Sequence, residues 1–362
     1  MIGTILYLST TFAFSPLLNL ATFPVALLLI ILRRSTVSLM PRQITGIVIL
    51  LISTFASTVI FVSYRQTINN FDKSLVGAFP YLILIIMAIF LATLLRPQDL
   101  RWILYLVIIE IFVSVIESIY GVRSFFVPSL GEVAFGTTNY LYYNRVYGLS
   151  DSSSVFAFKV LIGWICFLYG SHRYSCYMRY FICTVLLAGL YFSFNRSVIL
   201  SLLVAIFIYL RNKYKTLMVV LIAGGLAMLR FWGWLATQAS RGIDGIDYSG
   251  RDVIFSQFLG IITENPLVGN GGAKVWIYIG DSLFHAHNSF LELGASIGIP
   301  LSIFWIIGYL LLVWRAWPIL IPFIVYSSLQ YGLFWGFVFN DIVITAICLI
   351  YIRGLKSKNN LL

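Results

Sequence analysis

The chain has 362 residues, of which 60% are hydrophobic and only 10% charged, with a formal net charge of +11. A soluble domain carries about a quarter charged residues, so this composition excludes a water-soluble globular protein. It also excludes a nucleic-acid-binding domain, because the basic residues sit at the ends of apolar runs and build no basic region.

The apolar runs are continuous for about 17–25 residues, which fits spanning helices and not the alternating strands of a β-barrel. In chain order the expected spans are about 13–32, 43–63, 74–95, 102–120, 154–170, 178–194, 197–210, 216–235, 289–314, 317–334 and 336–352. Pro16 and Pro24 divide the first stretch, so the count is eleven or twelve. The expected fold is an all-α, polytopic transmembrane bundle forming one integral membrane domain over residues 1–362. No cleavable signal peptide is expected, since no basic segment precedes the first apolar run. Cys166, Cys176, Cys183 and Cys348 lie in or beside apolar runs without a CxxC pair, which indicates neither a disulfide framework nor a zinc site.

Alternate connections set the orientation. One set carries Arg33, Arg34 and Arg42, then Arg96 and Arg101, Arg173 and Arg179, Arg211, Lys213 and Lys215, Arg315, and the tail Arg353, Lys356 and Lys358. Lysine and arginine collect on the cytoplasmic side, so that side and the C-terminus are expected in the cytoplasm of a bacterial inner membrane. The other face holds two long connections, about 121–153 and 236–288. In the second, DVIFSQFLGIITE (252–264) is apolar at 253, 254, 258, 261 and 262, the spacing of an amphipathic helix. Asn265-Pro266 ends it, and Gly269, Gly271 and Gly272 predict a sharp turn.

On that outer face basic residues are few: Arg145, Arg196, Arg241, Arg251 and Lys274, with His285 and His287 closing the loop. An arginine at membrane depth costs several kcal/mol unless partnered. The plain reading of each is interfacial snorkelling or an ion pair with Asp151, Asp244, Asp247 or Asp252. The chemical reading is that guanidinium forks hold phosphate oxygens while a neutral imidazole takes a proton from a hydroxyl. Glycosyl transfer from a lipid-diphosphate sugar needs both.

The residues also carry a resemblance. Ser249-Gly250-Arg251, an amphipathic stretch, Asn265-Pro266-Leu267-x-Gly269-x-Gly271, then His287-Asn288 before a helix with Gly294 and Gly298, resembles the bacterial O-antigen polymerase and O-antigen ligase superfamily. Arg145 with Gly148, and Arg196 in FSFNRSVIL, resemble the family's upstream arginine segments; the likeness covers about 140–310. It implies a GT-C-like bundle of about a dozen spans with a large periplasmic loop. It further implies metal-independent transfer of a glycan from an undecaprenyl-diphosphate-linked oligosaccharide donor to a glycan acceptor at the periplasmic face, with no cofactor. His287 would then be the general base, with Arg251 acting beside it; Arg145, Arg196 and, with a weaker match, Arg241 would bind the diphosphate.

Three other features stay open. His285 and His287 form an HxH pair whose third metal ligand would have to be Asp281 or another residue, whereas the family pattern gives a role to His287 alone. Glu292 either orients a neighbour or pairs with an arginine. Glu110 and Glu117 share one face of an apolar span and serve either function or a structural partner. His172, beside Arg173, reads as interfacial. The first functional reading is a polymerase extending lipid-linked repeats, with a chain-length regulator as a further partner. The alternatives are a ligase acting on lipid A–core, a flippase for the same lipid-linked sugar, and a metal-dependent transferase using a carboxylate such as Asp72.

Overall fold

The computed structural model describes residues 2–11, 24–29, 31–32, 39–64, 79–126, 145–170, 174–213, 251–280, 282–336 and 338–359, with scattered positions between 215 and 233. Arg241, Asp72, Asp244, Asp247, Asp281, His172 and Arg173 lie outside them, as do much of the expected spans 13–32 and 216–235.

The chain is mostly helical. Among the described residues, the helices with both ends placed are, in order, α1 (Ile2–Leu8), α2 (Pro41–Tyr64), α3 (Tyr81–Leu94), α4 (Pro97–Tyr120), α5 (Ser153–Gly170), α6 (Cys176–Ser193), α7 (Arg196–Leu210), α8 (Arg251–Glu264), α9 (Ser289–Ile297), α10 (Ile299–Val313), α11 (Trp317–Leu329) and α12 (Phe339–Asn359). The strands are β1 (Ile277–Ile279) and β2 (Ser282–Phe284), paired antiparallel. Among the described residues five helical stretches are long and apolar enough to cross a membrane, namely α2, α4, α5, α6 and Ile299–Leu329; α3 and α7 are shorter and also apolar. This is a multi-pass, all-α membrane protein. Phe55, Val62, Tyr177 and Leu203 are exposed on such helices, where lipid takes the place of water.

Two compact units are present: Met1–Leu29 with Pro97–Asp247, and Ile30–Arg96 with Tyr248–Leu362. In the first, Gly163 and Gly189 let neighbouring helices approach; a Cβ on Gly189 would sit 2.6 Å from Ile111. The Lys159 ammonium lies 3.1 Å from Glu110 Oε2, both side chains being fully buried, and Tyr7 donates to the same carboxylate. Helices α4 and α6 end, and α5 and α7 begin, at one end of this unit. Arg101, Arg179, Arg211 and Lys213 belong to the other end.

In the second unit α2 and α10 pack antiparallel through Gly46 and Gly308, with a Cβ on Gly46 only 2.7 Å from Gly308 O. Gln43 Nε2 donates to Leu312 O. Arg353, near the end of α12, donates to Leu95 O and Thr93 O at the end of α3. Arg42, Arg96, Arg315 and Arg353 therefore share one end of this unit.

One expected span is divided and one expected break is wider. The run 289–314 breaks at Gly298, whose φ of +78° suits only glycine and whose Cβ would meet Leu267 O at 2.4 Å. The break expected between 317–334 and 336–352 is wider: α11 ends at Leu329 and α12 starts at Phe339, and between them Phe334 and Gly336 adopt φ of 59° and 139°. Ile299–Leu329 is also not one straight rod. A 3-10 turn, Trp314–Ala316, reverses the chain at Arg315, and Asn288 Nδ2 meets Ser328 O where α11 returns to the start of α9.

Candidate functional site

The long connection after residue 250 builds the candidate site within the second unit. Helix α8 covers the predicted amphipathic stretch. Ile254 and Phe258 are buried against Val275, Ile277 and Ala286, with Ile261 and Ile262 packed alongside, whereas Val253 stays exposed. The glycine-rich turn follows as expected, with φ of 57°, 62° and 81° at Gly269, Gly271 and Gly272. Its function is local. Asn270 N and Gly272 N donate to Ala295 O and Ser296 O, the carbonyls left unpaired where α9 ends. Only glycine fits so close, since a Cβ on Gly269 would lie 2.5 Å from Ala295 O.

The β1–β2 hairpin, which the sequence reading did not anticipate, returns the chain to His285 and His287. Glu292 settles on the orienting reading: from the first turn of α9 it accepts from Val275 N and Ala286 N, both at 3.2 Å, and so ties both ends of the hairpin to one helix. Asn288 caps α9 by accepting from Phe290 N and Leu291 N. His287, just before the cap, holds φ of 48°. A non-glycine residue in this region is strained by about 1–3 kcal/mol, a cost retained where surrounding bonds fix the geometry.

The end of α11 meets this segment. Arg251 Nη1 donates to Leu329 O at 2.8 Å, and His287 Nδ1 lies 3.1 Å from Gln330 Oε1. Beyond it, the Tyr331 and Trp335 rings lie 4.4 Å apart between centroids, tilted by 31°, and His285 packs edge-on against each at 4.6 Å. The Lys274 ammonium lies over the Trp335 ring and donates to Trp335 O. This turn is fixed from α12, where the Asp341 carboxylate accepts from Phe334 N, Trp335 N and Gly336 N.

The two histidines differ in chemistry. His285 is pushed down to about 2, first by burial, then by His287, Lys274 and Arg251. Its Nδ1 accepts the His287 backbone N–H at 3.1 Å, so its role in the segment is structural. His287 is also held below the ordinary imidazole value, chiefly by burial, with Arg251 lowering it and the Gln330 hydrogen bond raising it. It is neutral near pH 7 and able to take a proton. The HxH metal pairing has His285 Nδ1 already engaged, and its suggested third ligand, Asp281, lies outside the described residues. Among the described residues no three His, Cys, Asp or Glu side chains converge on one point.

Arg145 and Arg196 belong to the first unit, where backbone bonds bring their segments together. Val146 N donates to Phe192 O at 3.4 Å, and Tyr147 N donates to Arg123 O at 2.9 Å. Asn195 caps α7 ahead of Arg196 by accepting from Ser197 N and Val198 N, and Phe194 before it has φ of 30°. Two helix carboxylates hold the Arg145 segment: Glu117 accepts from Gly148 N, and Glu110 from Leu149 N and Ser150 Oγ. Glu110 and Glu117 thus have structural partners. The structure brings Arg251 to the His287 segment and the Arg145 segment to that of Arg196, each pair inside its own unit. Arg241 lies outside the described residues.

Sequence reasoning missed Gln330, Tyr331 and Asp341, read as parts of spans, Trp335, which fell between two of them, and Arg123 and Lys159. Two signals pointed to them. Gly332 and Gly336 interrupt the apolar run beside polar Gln330 and Asp341. A lysine inside a span demands a carboxylate, and Glu110 was in view.

No known protein family matches the chain, and no curated protein is similar to it in sequence.

Proposed function

We propose that the chain is a metal-independent membrane glycosyltransferase of the O-antigen polymerase type. It moves a glycan from an undecaprenyl-diphosphate carrier to a hydroxyl on another lipid-linked repeat, at the periplasmic face of a bacterial inner membrane. The observation that carries this reading is the placement of His287 at the start of α9, at φ of 48° with Nδ1 3.1 Å from Gln330 Oε1, next to the Leu329 carbonyl that anchors Arg251; burial holds its pKa below the ordinary imidazole value. The ordered sequence motifs support the same assignment.

In the proposed step His287 removes the proton from the acceptor hydroxyl. The oxygen forms a bond to the anomeric carbon as the bond from that carbon to the diphosphate oxygen breaks. Undecaprenyl diphosphate leaves with the bonding pair, and a single displacement inverts the anomeric centre. Arg251 steadies the developing negative charge.

The test uses full-length protein in proteoliposomes with labelled lipid-linked repeats alone. Wild type is expected to make longer chains, and His287→Ala to make none while remaining monodisperse and folded. Near-normal product lengths from His287→Ala would show that the base is misassigned. Product formed only when lipid A–core is added would identify a ligase.

A further inference from the structure

Three consecutive residues ending α11 hold the site. Ser328 O accepts from Asn288 Nδ2, and Leu329 O accepts from Arg251 Nη1. These are carbonyls of a last helical turn, which lack partners within their own helix. The third contact is different. Gln330 uses its side chain, with Oε1 at 3.1 Å from His287 Nδ1, and Gln330 is itself buried. An amide oxygen accepts and never donates, so with Oε1 turned to the ring it is Nδ1 that carries the hydrogen. A neutral imidazole has a single N–H, which leaves its lone pair on Nε2.

Other groups near this ring do different work. His285 Nδ1 is engaged by the His287 backbone N–H. The Tyr331 ring lies 6.3 Å from the His287 ring, centroid to centroid. Arg251 and Lys274 are cations and cannot accept from Nδ1. Glu292 accepts from Val275 N and Ala286 N, and Asp341 from the 334–336 backbone.

We propose that Gln330 is a positioning residue: by accepting from Nδ1 it holds His287 as the Nδ1–H tautomer and presents Nε2 to the acceptor hydroxyl. The proposal rests on the transferase reading and adds the atom at which the proton is taken. A neutral amide suits a base working beside an anionic donor. A carboxylate in its place would fix the same tautomer, but it would stabilise the imidazolium and repel diphosphate.

The test separates this proposal from the reading beneath it, because one of its readouts needs no substrate. Diethyl pyrocarbonate modifies unprotonated imidazole nitrogen. Its pH-dependent reaction at His287 is followed by peptide mass spectrometry on the full-length protein in detergent. Gln330→Glu is expected to move the His287 profile to higher pH and Gln330→Met to move it to lower pH. Gln330→Met should also slow chain extension by about 10²-fold, the lower edge of what a positioned proton acceptor contributes. Gln330→Glu should recover much of that rate above its raised acid limb. If Gln330→Met does not give monodisperse protein, Gln330→Asn, whose shorter amide withdraws from Nδ1, takes its place with the same expectations. Unchanged His287 profiles in folded variants would overturn the proposal, whether or not extension is lost. Wild-type extension rates in Gln330→Met would overturn it too. An active His287→Ala would instead defeat the transferase reading, while the modification profile would still report on Gln330.

Discussion

The two units use one device for different ends. In each, buried carboxylates on helices accept backbone N–H groups from the loop that carries candidate site residues. Glu110 and Glu117 do this for the Arg145 segment, Glu292 for the hairpin before His287, and Asp341 for the turn after Gln330. The difference lies in what the loop then presents. The segments joined in the first unit carry Arg145 and Arg196, and Glu110, which accepts from Leu149 N there, is paired with Lys159. The second presents a neutral imidazole beside an arginine, with backbone carbonyls and one amide as anchors. Carboxylates buried among apolar helices therefore mark scaffolding here, and the proposed proton acceptor, His287, belongs to the second unit.

The largest expected effect tests the scaffolding half of this contrast. Lys159→Met leaves Glu110 buried without its cation, and stranding one partner of a buried pair costs about 3–5 kcal/mol. A large fall in thermal stability is expected, with partial recovery in Lys159→Met/Glu110→Gln. A stable single variant with impaired chain extension would instead make Lys159 part of the chemistry.

Next comes Arg251→Gln, which tests the functional half. Loss of one charge-stabilising donor is expected to slow chain extension by about 10²–10³-fold with little change in folding. The pH profile adds a signed check. Arg251 lowers the His287 pKa, so its removal raises it. A base works above its pKa and fails as pH falls through it, so the acid limb should move to higher pH. An acid limb that stays in place would separate Arg251 from His287.

Gly148→Ala is expected to have the smallest effect. It forces alanine into φ of +58° with its Cβ 2.7 Å from Glu110 Cγ, on a side chain that can shift. A destabilisation of about 1–3 kcal/mol is expected, with weaker use of donor through the displaced Arg145 segment. A thermal unfolding curve matching wild type would contradict the clamp by Glu110 and Glu117.

Much of the helical layout was legible in sequence, because continuous apolar length is a local property. The expected spans at 43–63, 102–120, 154–170 and 178–194 match α2, α4, α5 and α6 to within a few residues at each end. The break at Gly298 and the full width of the break between α11 and α12 were not legible, since both depend on contacts outside the local apolar pattern. Gly298 must be glycine because Leu267 O approaches it, and Phe334 is held in its turn by Asp341. The same division applies to the site. His287, Asn288 and Arg251 stood out as rare polar residues in an ordered motif. Gln330 lies 43 positions from His287 and Lys159 lies 49 from Glu110, so no local pattern links them.

The most direct measurement is a cryo-EM map of the full chain in nanodiscs with undecaprenyl diphosphate. Diphosphate density is expected within hydrogen-bonding distance of Arg251, leaving space for a sugar hydroxyl at His287 Nε2. Diphosphate bound where neither Arg251 nor His287 can reach it would contradict the account.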